Sequence, residues 1–240
     1  VYKTKLDSSK LDRSWFLQTL QKKEALASSQ IEGTQATLDG ILVDQVKPSE
    51  KDKDMAEVRN YLDAAIEGYR YLKTNPMSVD FIKQLHKTLM SGNVRRNKTT
   101  VPGEFRRSQN YLGREKIISY VPPVAERVDK LMENFVEYFN STEDPQRPLV
   151  RAAIMHAQFE TIHPFMDGNG RVGRILIPLF LFKHRQISLP CFFISETLER
   201  DKFKYYALLN SIREEHNWDS WINFFLRAVD HQCSKSIDLV

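Results

Sequence analysis

Residues 163–174 read HPFMDGNGRVGR, and this stretch decides how the rest of the chain is interpreted. The apolar run ILIPLFLF follows at residues 175–182 and predicts a largely buried helix. Glycines let the loop backbone approach a ligand, and the first N–H groups of a helix lack partners within it, so the stretch predicts an anion site. Arg171 and Arg174, three residues apart, occupy neighbouring positions on one helix face and can reach the same polyphosphate.

The glycines of this stretch also fit a second pattern. Gly168, Gly170 and Gly173 match G-x-G-x-x-G, the fingerprint of dinucleotide-binding proteins. That fingerprint requires a preceding strand within a βαβ unit. Residues 148–159 instead carry apolar side chains at helical spacing. The sequence therefore favours a helix, a polar loop and a second helix over a Rossmann unit.

The whole stretch resembles the signature of the Fic family, H-x-F-x-(D/E)-G-N-G-R-x-x-R, at every defined position. In that family the loop binds ATP, and the enzyme transfers AMP to a hydroxyl side chain of a target protein. The resemblance implies an all-α Fic fold, which is a helical bundle with a small β-hairpin flap. It also implies Mg²⁺ as cofactor and ATP as co-substrate.

The resemblance assigns a role to each residue of the loop, and the chemistry of the residues supports these roles. His163 would be the general base, and Asp167 would hold Mg²⁺ against the α- and β-phosphates. Asn169 would line an anion hole with its flanking glycines, Arg171 would neutralise charge in the transition state, and Arg174 would seat the γ-phosphate. Phe165 should point into the core. The predicted catalytic residues are His163, Asp167, Asn169 and Arg171, and the predicted nucleotide-binding residues are Gly168, Asn169, Gly170, Arg171, Val172, Gly173, Arg174 and Tyr206.

A helix that ends at Gly33 carries a second family motif. Ser28, Glu32 and Gly33 resemble the inhibitory pattern (S/T)-x-x-x-E-(G/N). The resemblance implies that Glu32 pairs with Arg174 and blocks the γ-phosphate site. The alternative is a surface glutamate in a last helical turn, where the helix dipole is slightly unfavourable. We expect residues 1–50 to form the inhibitory helix and a connecting loop from residue 34, and residues 51–240 to form the catalytic core, packed as one unit with that segment.

Two further regions are predicted to contact the substrates. Residues 93–123 contain β-prone pieces at 110–112 and 117–121, which predict a hairpin between helices. The resemblance implies that a flap at 102–123 binds the target segment as an added strand. It also implies that the Tyr205–Tyr206 pair approaches the adenine, with Tyr206 the stronger candidate; the alternative is that both are ordinary core aromatics.

Amphipathic patterns predict the remaining helices. Lone histidines are more often structural than catalytic, so His86 and His156 are expected to support the fold. The other predicted helices cover residues 52–72, 78–92, 124–139 and 218–233, with one or two helices at 196–216.

Composition excludes several classes of protein. The 240 residues are 41% hydrophobic and carry a formal net charge of +4 with no dense Lys/Arg block, so nucleic acid is not indicated as a partner. Cys191 and Cys233 form neither a metal spacing nor a disulfide framework, which predicts a cytoplasmic location. No apolar run reaches the roughly 20 residues that span a bilayer. No signal peptide is visible, and because the chain begins at Val1 we expect trimmed termini.

The favoured function is a protein adenylyltransferase that transfers AMP to a Ser, Thr or Tyr hydroxyl and is autoinhibited by Glu32. One alternative is the same fold with another donor or direction, such as UMP or phosphocholine transfer or removal of AMP, because the loop reads phosphates and not bases. A kinase-like relative has lysine at the position of Gly170, which argues against phosphorylation. Another alternative is a nucleotide-sensing module, although the presence of both His163 and Asp167 favours catalysis. The sequence leaves open the target, self-modification, a homodimer, any further C-terminal domain and the signal that relieves inhibition.

Overall fold

The computed structural model describes residues 13–49, 51–114, 117–187 and 192–238. Within these ranges the chain forms ten α-helices, one 3₁₀ turn and a two-stranded antiparallel sheet. The predicted all-α fold with a small hairpin is confirmed. The elements are α1 (Arg13–Ile31), α2 (Leu38–Val46), α3 (Lys53–Leu72), α4 (Val79–Leu89), β1 (Leu112–Arg114), β2 (Ile117–Tyr120), the 3₁₀ turn (Ala125–Arg127), α5 (Val128–Asn140), α6 (Pro148–Ile162), α7 (Asn169–Lys183), α8 (Ser195–Arg200), α9 (Lys202–Glu215) and α10 (Trp218–Asp238).

The central layer is the pair α6 and α7, which carries the loop 163–168 between its two helices. Helix α7 is buried on nearly all sides because its apolar run packs against α3, α4 and α6. Ser78 caps α4, where its hydroxyl accepts the Phe81 N–H at 3.1 Å, and Asp52 caps α3 in the same way. Among the described helices, none combines the length and apolar composition needed to cross a membrane.

The hairpin lies between α4 and α5 in the chain. Its strands pair Leu112 with Tyr120 and Gly113 with Ile118, with an irregularity between Leu112 and Gly113. Tyr120 fixes the hairpin to the central layer, since its hydroxyl donates to the Thr161 carbonyl at 3.0 Å. The flap therefore lies beside the end of α6 that precedes the loop.

Residues 34–50 were predicted to be a loop, and this prediction is wrong because α2 occupies Leu38–Val46. The Thr37 hydroxyl caps this helix by accepting the Gly40 N–H at 3.1 Å. Its apolar residues Leu42, Val43 and Val46 are exposed, so the helix lacks the one-sided apolar pattern on which the prediction relied.

The end of the chain also differs in detail from the prediction. The segment 196–216 forms two helices, which divide at Asp201, and α10 continues to Asp238. Cys233 is an exposed free thiol, whereas Cys191 lies outside the described residues.

Helix α1 packs against α3 and α8. Its residue Glu24 is buried, and Glu24 Oε2 accepts the backbone N–H groups of Ile194 at 3.0 Å and Ser195 at 2.9 Å. Tyr61 Oη lies 3.3 Å from the other carboxylate oxygen. Burial raises the pKa of Glu24 although these hydrogen bonds oppose the shift. One buried side chain thus attaches α1 to the start of α8.

Candidate active site

The loop between α6 and α7 begins and ends in left-handed backbone conformations. His163 has φ 49° and ends α6, where its N–H donates to the Phe159 carbonyl at 2.9 Å. Gly168 has φ 78° and directly precedes α7. A Cβ atom on Gly168 would lie 2.8 Å from Met90 Sδ, so glycine is required both by conformation and by space. The backbone of the loop therefore has little conformational freedom where it enters α7.

The side chain of Asn169 clamps the loop. Its Oδ1 accepts the Phe165 N–H at 2.9 Å, and its Nδ2 donates to the Phe165 carbonyl at 2.8 Å. Phe165 is fully buried, as predicted, and stacks on the His86 ring at a centroid distance of 3.7 Å. Both polar atoms of the Asn169 carboxamide are therefore occupied by the Phe165 backbone. Any contribution of Asn169 to an anion hole must come from its backbone N–H.

His86 supports the loop from below. Its Nδ1 accepts the Gly103 N–H at 2.9 Å, and its Nε2 lies 3.1 Å from the Asp167 carbonyl. Because Nδ1 accepts, Nε2 carries the proton and donates it to Asp167. Burial lowers the pKa of His86 to about 4, which keeps the ring neutral. The structural role predicted for His86 fits these contacts, although nothing local in the sequence linked it to the loop.

The Asp167 carboxylate is half-buried and points to the start of α7. Oδ1 accepts the Gly168 N–H at 2.6 Å, and Oδ2 accepts the Asn97 N–H at 2.8 Å. Each oxygen retains a lone pair for a further partner. A single oriented carboxylate suits Mg²⁺, which is typically held by one or two carboxylates together with phosphate and water oxygens.

A cavity of about 890 Å³ opens beside the N-terminus of α7. It brings together five residues that the sequence singled out, namely Glu32, His163, Gly170, Arg174 and Tyr206. Asp167, Gly168, Asn169, Arg171, Val172 and Gly173 do not line it. The other lining residues are Ile31, Gly33, Tyr111, Leu112, Gly113, Ser119, Glu160, Lys202, Phe203, Ala207, Leu209, Asn210 and Arg213.

Arg174 joins α7 to the end of α1. Its Nη2 lies 2.6 Å from Glu32 Oε1 and donates to the Ser28 carbonyl at 3.0 Å, while Nε donates to the Ser28 hydroxyl at 2.8 Å. Arg174 is fully buried, whereas the Glu32 side chain is 33% exposed to the cavity. Burial alone would raise the pKa of Glu32, but the Arg174 guanidinium outweighs it and lowers that pKa. Both groups are therefore charged at neutral pH.

Gly170 has no side chain, and the ion pair between Glu32 and Arg174 occupies the space beside it. A Cβ atom on Gly170 would lie 2.3 Å from Glu32 Oε1 and 2.9 Å from Arg174 Nη1. Any larger side chain would have to displace the carboxylate. The absence of a side chain at this position therefore allows the contact between α1 and α7.

Arg171 points away from the cavity, although it lies only three residues before Arg174. Its Nη1 is 3.8 Å from Glu57 Oε2 and its Nη2 is 3.5 Å from Met90 Sδ, all within the protein interior. The expectation that both arginines reach one polyphosphate does not hold in this arrangement, because α7 is enclosed on both sides and each guanidinium finds a different carboxylate.

Val172 and Gly173 are packing residues in the first turns of α7. The Val172 side chain is fully buried, and its N–H donates to the Gly168 carbonyl at 3.1 Å. A Cβ atom on Gly173 would lie 2.6 Å from Glu160 Oε1 and 3.1 Å from Phe159. Neither residue presents a free side chain to the cavity.

Two arginines hold the backbone around His163. Arg106 Nε donates to the His163 carbonyl at 2.9 Å, and Arg213 Nη2 donates to the Glu160 carbonyl at 2.8 Å. Arg213 also lies over the ring of Tyr120 in the flap, 3.8 Å from its centroid. Burial, assisted by Arg213, lowers the pKa of His163 to about 4. The imidazole is therefore neutral at physiological pH and able to accept a proton.

Glu160, which lies one helical turn before His163, was not among the residues predicted from the sequence. Glu160 is buried in the cavity wall, and its Oε2 is 3.9 Å from His163 Nδ1. Burial raises the pKa of Glu160 to about 7. A carboxylate three residues before the predicted base on a predicted helix was the signal that could have found it.

The two adjacent tyrosines have different environments. Tyr205 is fully buried, and its hydroxyl lies 2.8 Å from His156 Nε2. Tyr206 is 37% exposed and lines the cavity. Of the pair, only Tyr206 is placed to contact a ligand there.

The cavity thus brings Arg174, near the N-terminus of α7, together with the neutral imidazole of His163. Comparisons with known proteins identify the family to which the chain belongs. Residues 76–181 match the model of the Fic/DOC family, and residues 5–70 match that of the Fic/DOC family N-terminal region. The first range contains the loop, and the second contains the end of α1. The chain belongs to the Fic/DOC family.

Several relatives carry the name protein adenylyltransferase Fic. The relative from Drosophila ananassae is 31% identical over 140 residues, which are 57% of this chain and 24% of that protein. The relative from Drosophila erecta is 30% identical over 166 residues, which are 68% of this chain and 29% of that protein. The chain therefore spans about a quarter of the length of these relatives.

Solved structures share the fold. A Fic family protein from Desulfovibrio desulfuricans G20 superimposes with a TM-score of 0.79 at 25% identity, over 93% of this chain and 66% of that one. A Fic domain containing signaling protein from Bacteroides thetaiotaomicron gives a TM-score of 0.73 at 21% identity, over 99% of this chain and 91% of that one.

Proposed function

We propose that this chain is a protein adenylyltransferase that transfers AMP from ATP to a Ser, Thr or Tyr hydroxyl of a target protein and is held inactive by Glu32. The observation that carries the proposal is the pairing of Glu32 with the buried Arg174 in the same cavity as the neutral His163. The relatives named protein adenylyltransferase Fic support the same reaction class.

His163 acts as the general base. Its neutral imidazole takes the proton of the target hydroxyl, and the hydroxyl oxygen forms a bond to the α-phosphorus of ATP. The bond between the α-phosphorus and the bridging oxygen breaks, so pyrophosphate leaves and the target carries AMP. The low pKa of His163 favours the proton-accepting form across the physiological range.

The start of α7 binds the phosphates. The backbone N–H groups of Asn169 and Gly170 contact phosphate oxygens at the positive end of the helix, and Gly170 lines the cavity. The Gly168 N–H is already donated to Asp167 Oδ1. Arg174 binds the γ-phosphate, and Arg171 adds positive charge from beneath the loop. Asp167 would hold Mg²⁺, which neutralises phosphate charge when bound.

The flap binds the target. Tyr111 and Ile118 are 60% and 58% exposed, and strands β1 and β2 form a sheet of only two strands within the described residues. A peptide added to an open strand edge gains main-chain hydrogen bonds and presents its hydroxyl residue to the cavity. Tyr206 contacts the adenine from the opposite wall.

Glu32 inhibits by competing for Arg174. One guanidinium cannot bind both the Glu32 carboxylate and a γ-phosphate in the same geometry. Nucleotide that binds with a displaced γ-phosphate presents a misplaced α-phosphorus, and a displacement of about 1 Å can lower a rate roughly a hundredfold. Replacing Glu32 with glycine should therefore raise both target modification and self-modification.

The test measures AMP incorporation from labelled ATP by the wild type, Glu32→Gly, Arg174→Ala and the double variant. Glu32→Gly should be faster than the wild type by roughly tenfold or more. Arg174→Ala should be slower, and the double variant should regain little because both changes act through one contact. Gln35→Gly, an exposed position just after α1, controls for the added glycine. Equal rates in the wild type and Glu32→Gly would show that the end of α1 is merely structural.

Parallel reactions separate the alternatives. Labelled UTP or CDP-choline as the better donor would identify a different transferred group. Loss of AMP from a modified target would identify the reverse direction. Nucleotide binding without any modified product, in Glu32→Gly as well as the wild type, would identify a sensor.

A further inference from the structure

Glu160 is a buried carboxyl group for which the proposed reaction has no use so far. It is 5% exposed, and among the described residues its Oε1 has no hydrogen-bond partner. Its Oε2 lies 3.9 Å from Nδ1 of His163, and that nitrogen makes no hydrogen bond of standard geometry among the described residues, although the Glu160 backbone lies close enough to oppose the lowering of the His163 pKa. Burying a carboxyl group without a partner is unfavourable, so its position beside the His163 ring calls for an explanation.

We propose that Glu160 is the positioning residue of His163, whose carboxylate receives the Nδ1–H when the imidazole takes the target proton at Nε2. The inference rests on the proposed function. An imidazole that accepts a proton at one nitrogen must carry a proton at the other, and a carboxylate there fixes the tautomer and stabilises the imidazolium. The two residues are three apart on α6 and its cap, so small rotations of both side chains would bring the two atoms to hydrogen-bond distance.

Charges from every neighbouring helix face this pair. Arg174 on α7 and Arg213 on α9 favour the Glu160 carboxylate, whereas burial and the negative charge of Glu32 on α1 oppose it. Burial is the strongest influence and raises the pKa of Glu160 to about 7. Near neutral pH the His163 ring is therefore neutral, and Glu160 is the group of the pair that titrates.

The kinetic test uses the Glu32→Gly background, in which transfer is measurable. Adding Glu160→Gln keeps the shape and removes the charge. The kcat for AMP transfer should fall roughly tenfold or more, which is less than the loss expected from removing the base, and the KM for ATP should stay within about twofold. The alternative substitution Glu160→Asp, in the same Glu32→Gly background, retains the charge and should give a kcat between those of Glu160→Gln and of Glu32→Gly alone. Glu137→Gln, at an exposed position on α5, is the matched control.

The pH profile distinguishes positioning from packing. With Glu160 present, kcat should rise with pH as the carboxylate ionises, and the step should lie at or below about pH 7. The step should be absent with Glu160→Gln and present with Glu160→Asp. An unchanged kcat in Glu160→Gln, or an unchanged pH step, would overturn the proposal.

A titration of the His163 ring tests the pairing without any enzymatic activity. Histidine is labelled with carbon-13, and the His163 resonance is assigned by its loss in His163→Gln. In the wild type this resonance should shift near pH 7, and in Glu160→Gln that shift should disappear. Identical titrations would overturn the proposal even if AMP transfer is established. If the shift disappears in Glu160→Gln but Glu32→Gly transfers no AMP, the proposed function is refuted, and the pairing of Glu160 with His163 still stands. If Glu160→Gln fails to fold, the comparison is made with Glu160→Asp, whose carboxylate lies farther from the ring and should give a smaller shift.

Discussion

Arg171 and Arg174 stand three residues apart on α7, yet their surroundings differ in one important respect. The carboxylate near Arg171 is Glu57, which is only 4% exposed within the core helix α3. The carboxylate that binds Arg174 is Glu32, which is 33% exposed at the end of α1. A partner at a helix end facing a cavity can be displaced by a ligand, whereas a partner in the core cannot leave without partial unfolding.

The difference shows how one helix turn can serve two purposes. The side that faces Glu57, Met90 and His86 holds the loop in place through permanent contacts. The side that faces the cavity presents groups that line it, such as Glu32, His163 and Gly170. Substitutions on the cavity side should therefore alter transfer, and substitutions on the support side should alter stability.

His163→Ala should give the largest effect, and it belongs to the cavity side. In the Glu32→Gly background it should lower AMP transfer by about a hundred- to ten-thousand-fold while ATP binding persists, because only proton removal is lost. Rates of AMP incorporation and calorimetric binding of ATP measure the two effects. Near-normal AMP transfer by the His163→Ala variant would show that His163 is not the general base.

Glu57→Ala should give the next effect, and it belongs to the support side. Removal of the Glu57 carboxylate leaves Arg171 buried without a counter-charge. It also removes the acceptor of the Arg95 N–H, which donates to that carboxylate at 3.0 Å. The free energy of unfolding should fall by about 3 kcal/mol. Urea denaturation measures it, with the exposed Asp63→Ala as the control, which should change it by less than about 1 kcal/mol. A loss in Glu57→Ala no larger than that in Asp63→Ala would show that Glu57 is not a permanent partner of the support side.

Acid should destabilise both sides together through their neutral histidines. Burial lowers the pKa of His86 and His163 to about 4 and that of His156 to about 3. Each folded-state pKa lies below the unfolded value, so the unfolded chain binds more protons and stability falls as the pH drops from 6.5 towards 4. Each histidine contributes a slope of about 1.4 kcal/mol per pH unit.

Denaturation curves at several pH values measure the total slope, and the buried His156→Gln should reduce it by about 1.4 kcal/mol per pH unit, which is the contribution of one such histidine. The exposed His231→Gln is the control. A slope that remains the same in His156→Gln would show that the buried ring does not resist protonation.

Local sequence signals predicted most of the fold. Ser78 followed by apolar residues at helical spacing located α4, and the glycine-rich loop before an apolar run located the N-terminus of α7. Helix α2 was missed because its apolar residues face solvent. One or two helices were expected at 196–216, and the position of the break at Asp201 was left open because neither glycine nor proline marks it.

The site could be predicted only as far as its motif extends. The contact between Glu32 and Arg174 was expected from two motifs, and the structure places the two groups 2.6 Å apart. The direction of Arg171 was not predictable, because it depends on Glu57, which lies more than a hundred residues earlier. Arg106 and Glu160 were missed for the same reason, and the structural role expected of His86 could not be linked to the loop, since their neighbours are determined by packing between helices.

The attachment of α1 through Glu24 has a consequence for control. Under the proposed function, the inhibitory carboxylate belongs to the chain that it inhibits, and Glu24 keeps its helix in place at the start of α8. Glu32 is therefore presented to Arg174 at an effective concentration that the fold determines and that the amount of protein does not change. Dilution cannot release such an inhibitor. Only a competing ligand, or a partner that moves the end of α1, can shift the balance.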